Sequence, residues 1–344
     1  MKLSIEQIRN ITQGVERVES DNGRVSFHRF TEREELFYKQ RDAMFGRSFS
    51  YRCKAPAGVK LCFATNSKNL KITVMVDVAT SRSYFSLDVF ENGNLLGYLD
   101  NFNEEELLEN YTEQEFPLGK NKKQFALCGE ESIITIYLPW SVAVKELVVE
   151  LDDDATLEPI KRDKKLLAYG DSITQGYDAV RPSHRYIARI ADFLGAEEIN
   201  KAIGGEIFVP ELVKDKLDFV PDYITVAYGT NDWSTTDGED FYQNVRSFYA
   251  SLSYNYQGVP IFAITPIWRL NFEEVKPFGD FFSVEKIIRE ATSDLKNVRV
   301  ISGFNLVEQD KKLFADLRLH PNDKGFNCYF ENLKKQIQKE LKTI

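Results

Sequence analysis

Histidine is scarce in this chain and cysteine nearly so. Three histidines and four cysteines are spread over 344 residues. No two cysteines form a CxxC pair and no histidine lies near such a pair, so the spacings of a zinc site are missing. Cys53, Cys62, Cys128 and Cys328 read as reduced, mostly buried thiols, the usage of a cytoplasmic protein. No apolar run approaches the length that crosses a bilayer. The first nine residues, Met1 to Arg9, lack the apolar core of a secretory leader, which also points to the cytoplasm. An excess of positive charge is missing too. Lys and Arg number 44 against 53 Asp and Glu, for a net charge of −9. That balance argues against nucleic acid and against an anionic membrane, since both reward clustered cations. There is no internal repeat and no low-complexity tract.

What is present has the composition of an ordinary globular protein, at a length that favours two domains. Residues 4–13 have the spacing of a short helix stopped by Gly14. Val15 to Phe30 reads as strand with a turn at Asp21-Asn22-Gly23, and a helical turn fits Glu32–Gln40. From about 47 to 151 the texture is all-β. Alternating segments cover 47–53, 59–65, 70–76, 84–90, 95–99, 133–138 and 143–151, with a hairpin turn at Glu91-Asn92-Gly93-Asn94. Short strands at near-regular spacing predict a β-sandwich of jelly-roll type. The charged, proline-bearing stretch 152–163 has linker texture. Beyond it strands and helices alternate. Strands are expected at 166–169, 197–200, 222–228, 259–265 and 298–301. Helices are expected at 186–194, 210–217, 240–252, 282–295 and 326–341. Such alternation implies a parallel sheet covered by helices on both faces. The domains so expected are 1–158 and 164–344.

The first strand of the second domain ends in Gly170-Asp171-Ser172-Ile173-Thr174-Gln175-Gly176. Open α/β sheets place ligands beyond the carboxyl ends of their strands, where a serine entering a helix exposes its hydroxyl near backbone N–H groups. Taken alone the tripeptide is more often just an N-cap. Three later segments follow other strands or precede the last helix: Asn200-Lys201-Ala202-Ile203-Gly204-Gly205, Val226-Ala227-Tyr228-Gly229-Thr230-Asn231-Asp232, and Asp316-Leu317-Arg318-Leu319-His320-Pro321-Asn322-Asp323. Together and in this order they resemble the SGNH (GDSL-type) hydrolases, a serine esterase family. The resemblance covers most of the second half of the chain and implies a flavodoxin-like three-layer α/β/α domain.

Carried over residue by residue, the resemblance implies that Ser172 attacks an ester carbonyl and that His320 takes its proton. The oxyanion would be held by the backbone N–H of Ser172, the backbone N–H of Gly205 and the side-chain amide of Asn231. No cofactor and no metal is implied. The sequence departs from the family at one point. The acid usually stands three residues before the histidine, and Leu317 occupies that position. Asp316, four before, takes the role if a one-residue bulge brings it to the imidazole; otherwise the site works as a Ser–His dyad oriented by a backbone carbonyl. We take Asp316 as the acid. Asp171 and Asp232 are read as loop-holding residues, and His28 and His184 as ordinary ones.

Trp233 and Trp268 follow strands three and four, where their faces could stack on a sugar, a core or lid role standing equally beside that reading. A β-sandwich ahead of an SGNH domain resembles carbohydrate esterases that remove acetyl groups from xylan and related glycans. The implied activity is that of a serine esterase acting on a small acyl ester, an acetylated sugar first among them. Two alternatives stand beside it: a broader acyl-ester hydrolase or thioesterase, and a non-catalytic glycan-binding protein with a degenerate hydrolase domain. The sandwich either walls one side of the cleft or mediates a homo-oligomer.

Overall fold

The computed structural model describes residues 1–21, 24–46, 48–108 and 111–342. The chain divides into two compact units. One holds Met1–Asp163 with Val180–His184 and Glu197–Asn200; the other holds Lys164–Ala179, Arg185–Ala196 and Lys201–Ile344. Among the described residues no helix is long and apolar enough to cross a membrane.

The first unit is built on antiparallel sheets. One runs in the order Thr12–Gln13, Lys60–Thr65, Ser132–Tyr137, Ser86–Glu91, Asn94–Asp100, with Glu158–Pro159 added beside Lys60–Thr65. The other runs Val142–Leu151, Asn69–Ala79, Gly119–Ala126. Alternation drives their packing. Leu61, Phe63, Leu87, Val89, Ile134 and Ile136 of one sheet share a core with Leu70, Ile72, Val74, Val149 and Phe125 of the other. Arg17–Asp21 and Arg24–His28 pair as an antiparallel hairpin; of its expected turn, Asn22 and Gly23 lie outside the described residues. Val180–His184 is tied into this unit by polar contacts. The buried Arg181 donates to Asp100 at 2.6 Å and to Glu104 at 2.6 Å, and Ser183 Oγ donates to the buried Asp88 at 2.6 Å.

Three elements differ from the sequence reading. Residues 47–53 were expected as strand, but Phe49–Arg52 is a helical turn, and Arg47 lies outside the described residues. The Asp42 carboxylate accepts the N–H groups of Phe49 at 2.6 Å and Ser50 at 2.9 Å, which fixes the turn. Phe49 and Tyr51 imitate a period of two only because the segment is short. Gly119–Ala126 is a strand that the sequence hides, because this outer, lysine-rich strand is solvated along most of its length. The helix expected over 210–217 shrinks to a single 3₁₀ turn, Pro210–Val213.

The carboxyl-terminal half carries the expected parallel sheet. Its strands are β1 (Lys164–Gly170), β2 (Ala196–Asn200), β3 (Tyr223–Ala227), β4 (Ile261–Ile264) and β5 (Val298–Ile301). Their order is β2-β1-β3-β4-β5. The pairs β1/β3, β3/β4 and β4/β5 are parallel. Helices α1 (Tyr186–Phe193), α2 (Gly238–Asn255), α3 (Phe282–Thr292) and α4 (Asp323–Leu341) cover it. Leu166 and Ala168 of β1 share a core with Ile187 and Ile190 of α1 and with Phe326 and Leu333 of α4. Tyr169 points to the opposite face, as strand alternation requires, and meets Phe248 of α2 edge-on at 5.8 Å. The sheet is therefore buried on both sides, which is why its strands read as continuous apolar runs.

Candidate active site

The order β2-β1-β3-β4-β5 reverses direction beside β1, and loops leaving the carboxyl ends of the strands there form a crevice. Ser172 begins the helical turn Ser172–Gln175 directly after β1, with only 5 % of its surface exposed. Asp171 is the N-cap, and its carboxylate accepts the N–H of Ile173 at 2.9 Å. Burial pushes the Asp171 carboxyl up to about 6.

His320 reaches the same place from the far end of the chain. Its loop is closed by the N–H of Ala315 donating to the His320 carbonyl at 2.8 Å, and by Asn322, which caps α4 by accepting from Gly325 N–H. Ser172 Oγ lies 2.8 Å from His320 Nε2. On the other side of the ring, Nδ1 lies 2.9 Å from Asp316 Oδ2. The residue between the usual spacing and the observed one is Leu317, held at φ +55°. That left-handed step is the bulge that lets an acid four residues back reach the imidazole. It is uncommon for a branched side chain, and the loop compensates with hydrogen bonds. Asp316 Oδ1 accepts the N–H groups of Arg318, Leu319 and His320 at 2.9, 2.7 and 3.1 Å. Burial works upward on the Asp316 carboxyl, but the bonded imidazole and these amides hold it well below the usual carboxylate range.

A second carboxylate stands on the same nitrogen. Asp178 Oδ2 is 3.3 Å from His320 Nδ1, and the Asp178 side chain is fully buried. Sequence reasoning missed it. The available signal was an acid six residues after Ser172, just beyond the glycine that ends the helical turn. Burial lowers the imidazole's pKa, but bonds to Asp178 and Asp316, and their charges, outweigh it and push it up to about 9. Among the described residues, Asp178, Asp316 and His320 are the group whose ligand atoms could close around a cation. A cation on Nδ1 would leave the only ring proton on Nε2, facing Ser172, with no lone pair to take the hydroxyl proton.

The loops of Gly205 and Asn231 meet beside this relay. Gly204 N–H donates to Gln175 Oε1 at 2.9 Å, which ties the loop after β2 to the Ser172 turn. A Cβ on Gly204 would fall 2.4 Å from the Tyr177 hydroxyl, so only glycine allows this approach. Gly205 follows at φ +83°. Asn231 Nδ2 donates to the Glu206 carbonyl at 2.9 Å, and Asp232 Oδ1 accepts the N–H of Phe208 at 3.0 Å. Asp232 thus holds the loops together. Its other oxygen is buried without a hydrogen-bond partner, and burial pushes the carboxyl up to about 7. The buried Arg269 clamps the Asn231 loop by donating to the Thr230 carbonyl at 3.0 Å. Burial lowers its pKa to about 10, which leaves it charged at neutral pH.

The two tryptophans expected to bind substrate are packed inward. Trp233 is fully buried, donates from Nε1 to the Gly279 carbonyl at 3.0 Å, and meets Phe281 edge-on at 5.1 Å. Trp268 is 5 % exposed and packs on Phe314 at 5.1 Å. Neither ring offers an open face for a sugar, because each fills the core beneath its own loop. The substrate-binding expectation for Trp233 and Trp268 is without support.

Residues 168–327 match the GDSL-like Lipase/Acylhydrolase family. That span is a GDSL-like acylhydrolase domain. That family is one of carboxylic ester hydrolases, and all the residues of the relay lie inside the matched span. No curated protein matches the sequence. Solved structures share the fold. A salicylyl-acyltransferase from a tetracycline biosynthetic pathway is 18 % identical, with a TM-score of 0.77 over 95 % of this chain and 94 % of its own. A GDSL-like lipase described as putative, from Bacteroides ovatus, is 20 % identical, with a TM-score of 0.75 over 99 % and 98 %. A family two carbohydrate esterase from Cellvibrio japonicus is 15 % identical, with a TM-score of 0.64 over 98 % and 97 %. The fold of the acylhydrolase domain with a β domain ahead of it is thus shared by proteins of this type.

Proposed function

We propose that this protein is a serine esterase that removes small acyl groups, acetyl first among them, from a carbohydrate through an acyl-enzyme. The observation that carries this reading is the continuous relay from Ser172 Oγ to His320 Nε2 at 2.8 Å and from His320 Nδ1 to Asp316 Oδ2 at 2.9 Å. In the first half-reaction Ser172 Oγ bonds to the ester carbonyl carbon while its proton passes to Nε2. The tetrahedral oxyanion is taken by the N–H of Ser172, the N–H of Gly205 and the Asn231 amide. Collapse breaks the bond to the alcohol, which leaves with the proton from Nε2. Water then repeats the sequence on the acyl-enzyme, and the acid is released.

The carbohydrate part of the reading leans on fold likeness to carbohydrate esterases, one of them solved with cellohexaose. We take residues 1–158 and 164–344 as the two domains. The intact relay speaks against a degenerate domain that only binds glycans. The test is hydrolysis of p-nitrophenyl acetate and of acetylated xylooligosaccharides by the whole chain. Ser172→Ala is expected to lose at least ~10³-fold in kcat with an unchanged melting temperature. Equal turnover by the variant would end the esterase reading. A preference for long acyl chains or thioesters would move it to the broader hydrolase class.

A further inference from the structure

We infer that Asp178 is a second positioning carboxylate for His320, so that the Nδ1 proton is shared between Asp178 and Asp316 and the working pH of the site is set by both. This deepens the esterase reading and rests on it for its catalytic meaning.

The geometry comes first. Asp178 Oδ2 stands 3.3 Å from Nδ1 and Asp316 Oδ2 stands 2.9 Å from it. The Asp178 side chain is fully buried, whereas that of Asp316 is 25 % exposed. A proton on Nδ1 lies within reach of both carboxylates, and their negative charge favours it there. The backbone underlines the placement. Asp178 sits at φ +70°, in the left-handed region that aspartate enters more readily than most residues. The segment returns there immediately after the Ser172 turn, with Tyr177 packed 5.6 Å from the imidazole, centre to centre.

Two anions on one imidazole favour its protonated form more than one anion does. Other charges in this unit act in both directions. Asp171 interacts with His320 and adds to the effect. Arg269, which interacts with Asp171, Asp316 and Arg318, works against it. The sum places the imidazole at about 9. A base held there is neutral in roughly 1 % of molecules at pH 7 and becomes available as pH rises. In return, the imidazolium that forms as Ser172 attacks finds two carboxylates already in place.

The experiment uses the full chain and two readouts. One is kcat/KM for p-nitrophenyl acetate from pH 6 to 10.5. The other is the proton NMR titration of the His320 ring, assigned by its loss in His320→Ala. In the wild type both are expected to titrate near 9. Asp178→Asn suits the positive φ and removes the charge. It should move both titrations down by about 1 unit or more. The variant would then be faster than the wild type at pH 7, by up to about tenfold, and slower on the alkaline plateau. Asp178→Gly tolerates the same backbone and should shift the ring titration likewise. A merely structural Asp178 would lower activity at every pH without moving either titration, and that result overturns the inference. A wild-type His320 titrating near its ordinary value would overturn it even if neither variant folded. A shifted ring titration in a protein that cleaves no ester would support the role of Asp178 and defeat the esterase reading instead.

Discussion

Replacing Asp316 by Asn is a graded test of how the relay is held. The Asn oxygen can still accept the N–H groups of Arg318, Leu319 and His320 that Asp316 Oδ1 accepts now, so the loop should keep its shape. The change falls on the other oxygen, which lies 2.9 Å from His320 Nδ1. An amide N–H there would face the ring N–H, donor against donor. In a serine protease that loses its orienting acid, the imidazole adopts the wrong tautomer and kcat falls by about 10⁴, or ~5.5 kcal/mol of barrier. Here Asp178 Oδ2 waits 3.3 Å from the same nitrogen. It can keep the proton on Nδ1 at the cost of a longer bond. The loss in Asp316→Asn should therefore stop near ~10²-fold, or ~2.7 kcal/mol, with KM little changed. Asp178→Asn combined with Asp316→Asn should fall the remaining distance, to about 10⁴-fold. The assay is kcat and KM for p-nitrophenyl acetate at about pH 9.5, where most wild-type imidazole is neutral. A loss under threefold in Asp316→Asn would show that Asp316 does not orient the ring. A full 10⁴-fold loss in that single variant would show that Asp178 gives no support.

Two further outcomes are expected. Asn231→Ala should lower kcat by about 10²- to 10³-fold with a smaller change in KM, since it removes a donor proposed for the oxyanion; an unchanged kcat would take Asn231 out of the oxyanion site. Asp232→Asn should be stabilising at pH 8.5 relative to pH 5. Burial raises the Asp232 carboxyl to about 7, so its protonated form contributes stability below its ordinary pKa near 4, and that contribution is lost as pH rises through 7. The gain at pH 8.5 over pH 5 should be about 2–3 kcal/mol, read as a rise of several degrees in thermal midpoint. A gain that is the same at both pH values would refute the assignment.

The parallel sheet was legible because strands buried on both faces are continuous apolar runs, and the helices between them keep a 3.6-residue face. The meeting of Ser172 with His320 was legible because each sits in a short segment with its own local signature. The carboxylate on the far side of the His320 ring was only half legible. Reaching His320 from Asp316 depends on Leu317 at φ +55°, and nothing in a leucine announces a left-handed turn. Asp178 was hidden for the same reason, since its position is fixed by a tight return of the chain at φ +70°. Trp233 and Trp268 were open in the sequence between a face for sugar and a place in the core. Their place after strand ends was read correctly, but a loop position does not say whether a ring faces the cleft or the core, and here both face the core. Gly119–Ala126 escaped notice because an outer strand rich in lysine carries no alternating pattern to find.

The most direct test of the proposed chemistry is to trap the acyl-enzyme. The whole chain would be mixed with p-nitrophenyl acetate, quenched in acid within the first turnovers, digested and examined by mass spectrometry. The expected result is a single acetylated peptide with the acetyl group on Ser172, absent from Ser172→Ala and from a sample left until substrate is exhausted. Turnover with no covalent adduct, or with an adduct elsewhere that Ser172→Ala retains, would contradict a serine acyl-enzyme mechanism at this site.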